Sequence, residues 1–183
     1  MAVLDVGANV AIQTEHFMQF AQMGIAYQKS LGIIHPTVGL LNIGAEEKKG
    51  TPQLREAYQK LQELNHSSQI FLGNVEGKDV FQGKVDVLVT DGFTGNVFLK
   101  TAEGIGAFIL DLLNDSAFGL GGLLSKLKQR LHWSEYPGAI LCGVDGIVIK
   151  CHGDGSPKAV INSIKEAVRL VEQDFIDKIK GQL

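Results

Sequence analysis

The chain has 183 residues, a hydrophobic fraction of 45%, a charged fraction of 20% and a formal net charge of −3. This composition is ordinary for a globular protein with a sizeable core, and its acidic balance argues against general affinity for nucleic acid or an anionic membrane. No basic and then apolar leader opens the sequence, no apolar run approaches the roughly 18 residues of a membrane span, and Cys142 and Cys151 lack metal-type spacing, so a reducing cytoplasm is the expected compartment.

In chain order, VLDVG (3–7) already reads as a strand running into a loop, so the chain is expected to be part of something longer. TVGLLNIG (37–44), IFLG (70–73) and VDVLVTDG (85–92) are further short apolar runs that end in glycine. Helical patterns lie between and after them, at about 14–31, 52–64 and 95–115. Continuous apolar strands alternating with amphipathic helices predict βαβ units and a mostly parallel sheet. Residues 116–137 depart from this rhythm. AFGLGGLL is apolar and glycine-rich, and SKLKQRLHW is a short amphipathic helix carrying Lys126, Lys128 and Arg130. Two strand candidates follow, GAILCG (138–143) and GIVIKC (146–151). A closing helix is predicted over about 156–180, with Val160, Ile164, Val168, Val171, Phe175 and Ile179 on one apolar face. With no Pro/Ser-rich linker, the reading is one α/β domain over 1–183 with a helical protrusion at about 105–137.

Four strand ends carry related signatures: Asp5-Val6-Gly7-Ala8-Asn9, Asn42-Ile43-Gly44-Ala45-Glu46, Gly73-Asn74-Val75-Glu76-Gly77 and Asp91-Gly92-Phe93-Thr94-Gly95-Asn96. In a parallel sheet such loops share the carboxyl edge, where ligands of α/β folds bind. Glycines allow backbone N–H groups to approach a ligand, and a following helix adds unpaired donors, so the edge suits phosphate. Turn formation alone would also select Gly, Asn and Asp. No GxxxxGK[ST] loop is present and no GxGxxG follows a strand, so the pattern gives no ground for NAD or ATP. Lys48 and Lys49 are either a point charge for an anion or a solvated charge run. Asn96 either polarises a carbonyl oxygen or caps the helix it opens. Cys151 and His152 would point to opposite faces of a strand and form no catalytic pair. The histidines lack ligand spacing, and no metal or cofactor is expected.

LDVGANV, GLLNIGAEEKKG, FLGNVEGKDVF, VDVLVTDGFTGNVFLKTAEG and VIKCHGDGSPKAVINSI together closely resemble the phosphate acyltransferases of bacterial phospholipid synthesis (PlsX). The likeness is collinear over nearly the whole chain and corresponds to the family's C-terminal half; nothing here corresponds to the N-terminal half. Ala11 stands where the family usually has aspartate after GANV. The resemblance implies a three-layer α/β/α fold of the isocitrate dehydrogenase and phosphotransacetylase type, usually dimeric, with protruding helices that contribute to dimerisation and to peripheral membrane contact. It also implies transfer of a fatty acyl chain from acyl carrier protein to inorganic phosphate, giving acyl phosphate. By the same resemblance Lys49 and Asn96 match catalytic positions. Gly7, Asn9, Asn42, Gly44, Asp91, Gly92, Thr94 and Gly95 are the expected phosphate-binding residues, and Lys126, Lys128 and Arg130 the expected docking patch for the acidic carrier protein. A phosphotransacetylase-like enzyme using coenzyme A thioesters and a non-catalytic half-length binding protein are the alternatives. Because a crevice site draws on both halves of a sheet, the isolated chain is expected to turn over poorly.

Overall fold

The computed structural model describes residues 1–65, 70–115, 138–151 and 156–181. They cluster into two compact units, Met1–Val97 with Glu172–Leu183, and Phe98–Val171. The first unit holds a four-stranded parallel sheet in the order β1-β4-β2-β3, formed by β1 (Ala2–Leu4), β2 (Val38–Asn42), β3 (Phe71–Glu76) and β4 (Val87–Val89). With its flanking helices this is the α/β architecture expected of a three-layer α/β/α fold.

Every residue of β2 and β4 is buried, which explains why these strands read as unbroken apolar runs rather than alternating ones. Helix α1 (Thr14–Ser30) turns Phe17, Phe20, Ala21, Ile25 and Gln28 inward at three- and four-residue spacing. Gly24 brings it close to the sheet, because a Cβ there would stand 2.4 Å from Val87 Cγ1 and 3.1 Å from Leu4 Cδ1. The Gln28 amide, 2% exposed, donates to the Asp86 carbonyl. The Asp86 carboxylate accepts from Thr37 N and Thr37 Oγ1, both at 2.9 Å, tying the starts of β2 and β4 together. Helix α2 (Pro52–Gln62) starts on Thr51, whose hydroxyl accepts from Leu54 N at 3.2 Å, and it buries Ala57 and Leu61. Burial of side chains such as Phe17, Leu40, Leu61 and Leu88 contributes about 1.5–3 kcal/mol each.

Three boundaries differ from the sequence reading. Strand β3 does not stop at Gly73. The register steps from Val38↔Phe71 to Leu40↔Asn74, so β3 carries one residue more than β2 there, and Gly73 takes a φ of 97°. Gly73 is therefore a bulge residue inside the strand, not a strand-end loop. Helix α3 (Gly92–Asp115) starts three residues before the predicted position of 95. The closing helix is two: α4 (Pro157–Glu172) and α5 (Phe175–Lys180). Asp174 between them has a φ of 50°, which breaks the α-helical path.

Helix α5 belongs to the first unit, where Phe175 and Ile179 are buried and Phe175 meets Tyr27 edge-on at 5.9 Å. In the second unit β5 (Ala139–Leu141) and β6 (Val148–Lys150) form an antiparallel pair. On α4 the residues of the expected apolar face, Val160, Ile164, Val168 and Val171, are 45–62% exposed. Cys151 Sγ donates to Ser163 Oγ at 3.1 Å, and burial pushes the Cys142 thiol up to about 11, so Cys142 does not read as a thiolate nucleophile. The glycine-rich segment at 116–137, with Lys126, Lys128 and Arg130, lies outside the described residues, as does His152. Among the described residues no helix is long and apolar enough to cross a membrane.

Candidate functional site

The strand order places the loop after β4 between the loops after β1 and β2, all at the carboxyl edge of the sheet. Neighbouring strands stand about 4.8 Å apart, so these three loops are immediate neighbours.

The first loop is organised by Asp5, which is 7% exposed. Its Oδ1 accepts from Gly7 N at 2.7 Å and Ala8 N at 2.8 Å, and its Oδ2 accepts from Asn9 N at 2.8 Å and Asn9 Nδ2 at 2.9 Å. Burial acts to raise the carboxyl pKa. The hydrogen bonds from Ala8, the Asn9 side chain, Gly7 and the Asn9 backbone together outweigh it, and the group is held below its ordinary value. The N–H groups of Gly7 and Asn9 thus point at Asp5. The sequence reading did not single out this carboxylate, although Asp followed by Gly, Ala and Asn is a side-chain-to-backbone turn pattern.

The second loop closes around Asn42, the last residue of β2. Asn42 Nδ2 donates to Lys49 O at 3.2 Å and to Asn74 Oδ1 at 3.1 Å, while its Oδ1 accepts from Ile43 N at 2.8 Å. Asn74 reaches back from β3 and donates to Glu46 O at 2.8 Å. Gly50, at a φ of 86°, allows the turn, since a Cβ there would stand 2.5 Å from Asn42 Oδ1. Gly44 makes room for the lysine stem: its Cβ would lie 3.0 Å from Lys49 Cγ. The Lys49 ammonium is 3.9 Å from Glu46 Oε1, with both side chains well exposed. Such a surface pair is worth little, so Lys49 can exchange Glu46 for an anion at small cost.

In the third loop Asn96 is not the helix cap. Asp91 is the cap: its Oδ1 accepts from Thr94 N at 2.8 Å and its carbonyl from Gly95 N at 2.8 Å. The N–H groups of Gly92 and Phe93 have no protein acceptor among the described residues. Asn96 lies in the second turn and donates its side-chain amide across the edge to Val6 O at 3.1 Å. Gly92 and Gly95 allow α3 to press on the first loop. A Cβ on Gly92 would stand 2.0 Å from Asn9 O, and one on Gly95 1.8 Å from Asp5 O. Gly7, at a φ of 118°, meets Asn96 in the same way, with Nδ2 2.7 Å from where its Cβ would be.

The sequence matches the family described as fatty acid synthesis protein over residues 1–178. It is 46% identical over 182 residues to the phosphate acyltransferase of Chlamydia abortus, covering 99% of this chain and 55% of that protein. The phosphate acyltransferase of Thermosipho africanus is 43% identical over 189 residues, covering 98% of this chain and 57% of that protein. That of Thermotoga petrophila is 42% identical over 190 residues, at 97% and 56%. The chain belongs to the phosphate acyltransferase family. It spans about half the length of the curated relatives it matches. Within this family member, the structure brings Gly7, Asn9, Asp91, Gly92, Thr94, Gly95 and Asn96 into two interlocked loops, and Asn42, Gly44 and Lys49 into a third beside them.

Proposed function

We propose that this chain carries out acyl transfer to phosphate. A fatty acyl group moves from the thioester of acyl carrier protein to inorganic phosphate, giving acyl phosphate for phospholipid synthesis and free carrier-protein thiol. A phosphate oxygen attacks the thioester carbonyl carbon, a C–O bond forms and the C–S bond breaks. The proton of hydrogen phosphate ends on the departing sulfur, so no covalent enzyme intermediate is needed.

The observation that carries this reading is that Asn96 and the N–H groups of Gly92 and Phe93, which have no acceptor among the described residues, lie in the first two turns of one helix, beside the Lys49 loop. These donors suit the oxygen on which negative charge develops, and one such donor is typically worth about 10²–10³ in turnover. Lys49 supplies the charge that holds phosphate against the carbonyl, within the edge shaped by Gly7, Asn9, Asn42, Gly44, Asp91, Thr94 and Gly95; proximity is what a weak nucleophile most needs. Acyl carrier protein would dock on Lys126, Lys128 and Arg130, since positive charge on an acidic enzyme steers an acidic partner. The exposed apolar residues of α4 support a homodimer. Contact with a membrane surface belongs to the same proposal.

The test is ³¹P NMR of the chain with phosphate and either acyl carrier protein or coenzyme A thioesters. An acyl phosphate signal that grows with the carrier-protein donor supports the reading. Growth only with the coenzyme A donor points to a phosphotransacetylase-like enzyme, and thioester loss that ignores phosphate refutes acyl transfer to it.

A further inference from the structure

A buried carboxylate at the edge of an anion site works against anion binding unless it has another task. Asp5 has four donors on its two oxygens, all from the four residues that follow it. Its backbone is fixed as well: Asp5 N donates to Thr90 O at 3.0 Å, and Thr90 N donates to Leu4 O at 2.6 Å, extending the β1–β4 pairing. Its carbonyl is the surface against which Gly95 packs. Between the anchored Asp5 and the anchored Gly7 lies Val6, whose carbonyl accepts from Asn96 Nδ2 at 3.1 Å. The positions of the Val6 carbonyl and the Asn96 amide therefore depend on the turn that Asp5 holds.

We infer that Asp5 is a positioning residue for Asn96: its carboxylate fixes the Val6–Asn9 turn, and the Val6 carbonyl orients the Asn96 amide so that its second N–H is left for a substrate oxygen. Asp5 itself touches no substrate. The last step of this inference rests on the acyl-transfer reading; the coupling between Asp5 and Asn96 does not. A carboxylate is required because all four contacts are donors. An Asn at position 5 would turn its NH₂ group either onto the N–H groups of Gly7 and Ala8 or onto the backbone N–H of Asn9, and so leave at least one of these backbone donors unsatisfied.

The experiment compares Asp5→Asn, Asn9→Ala, Asn96→Ala and the Asp5→Asn/Asn96→Ala double variant with the wild-type chain. Turnover is read as phosphate-dependent thiol release, and the Asn96 side-chain amide is read by ¹⁵N–¹H NMR, assigned by its loss in Asn96→Ala. Asp5→Asn is expected to lower kcat about tenfold or more with KM for the thioester little changed, since a misplaced group of this kind can cost about 10²-fold. In the Asn96→Ala background the same change is expected to cause no further loss. An equal loss in both backgrounds would show that Asp5 acts independently of Asn96 and overturn the inference. Should Asp5→Asn fail to fold, Asn9→Ala, which deletes only the side-chain contact, is expected to move the Asn96 amide resonance; an unmoved resonance overturns the inference. Where the wild-type chain, about half the length of its relatives, shows too little phosphate-dependent thiol release to compare, the NMR arm decides the Asp5–Asn96 coupling by itself.

Discussion

Gly95 and Asp5 meet backbone to backbone: a methyl group on Gly95 would stand 1.8 Å from the Asp5 carbonyl oxygen. The glycines of DGFTGN therefore have a packing reason to be there, apart from any ligand. They allow the first turns of α3 to lie against the loop after β1, which places Asn96 over Val6.

Gly95→Ala is expected to destabilise the chain by about 3 kcal/mol, because the obstacle is a fixed carbonyl and one of the two elements must move. Gly24→Ala is the comparison. Its Cβ would meet the side-chain methyl groups of Val87 and Leu4. Val87 is β-branched and fully buried, so this contact is costly too. A side chain shifts more readily than a hydrogen-bonded backbone, and alanine's higher helix propensity offsets part of the cost, so about 2 kcal/mol is expected. Urea unfolding of the two variants checks the ranking.

Asn74 donates to Glu46 O and accepts from Asn42 Nδ2, so it braces the loop that carries Lys49 from the neighbouring strand. Asn74→Ala is expected to cost about 1–2 kcal/mol of stability. It should also raise KM for phosphate severalfold with a smaller change in kcat, as expected when a binding group is loosened rather than removed. A phosphate titration at saturating thioester measures this.

Asp5 gives the fold a defined response to acid. Its folded pKa lies below the ordinary 3.8, so its contribution to stability is complete above that ordinary value and is lost as pH falls through the lowered one. Wild type is therefore expected to be more stable than Asp5→Asn at neutral pH, with the gap narrowing below about pH 4 as Asp5 takes up its proton. Urea midpoints of both proteins from pH 7 to pH 3 test the sign.

The parallel sheet and the positions of α1 and α2 were legible because buried strands leave continuous apolar runs and helices leave three- and four-residue spacing. The errors arose where glycine has more than one use. Gly73 reads as a strand end but is a bulge that keeps β3 in register with β2. Gly92 to Gly95 read as a turn but are the first turn of α3, because Asp91 caps it. Asn96 reads as a helix-opening residue, yet its side chain bonds across 90 residues to Val6, a pairing that local spacing does not record. Asp5 was missed for a related reason: its turn is local, but its consequence appears only where Gly95 and Asn96 arrive after β4, adjacent in the sheet but distant in sequence. On α4 periodicity correctly gave an apolar stripe, but periodicity does not specify what covers it, and Val160, Ile164, Val168 and Val171 are exposed.

Turnover of Asn96→Ala at saturating phosphate and acyl carrier protein thioester tests the central claim most directly. The account predicts a fall of about tenfold or more relative to wild type, with the unfolding midpoint little changed, since Asn96 is exposed and its side chain is held by one hydrogen bond to Val6 and its approach to Gly7. Wild-type turnover in that variant would remove Asn96 from the chemistry and contradict the account.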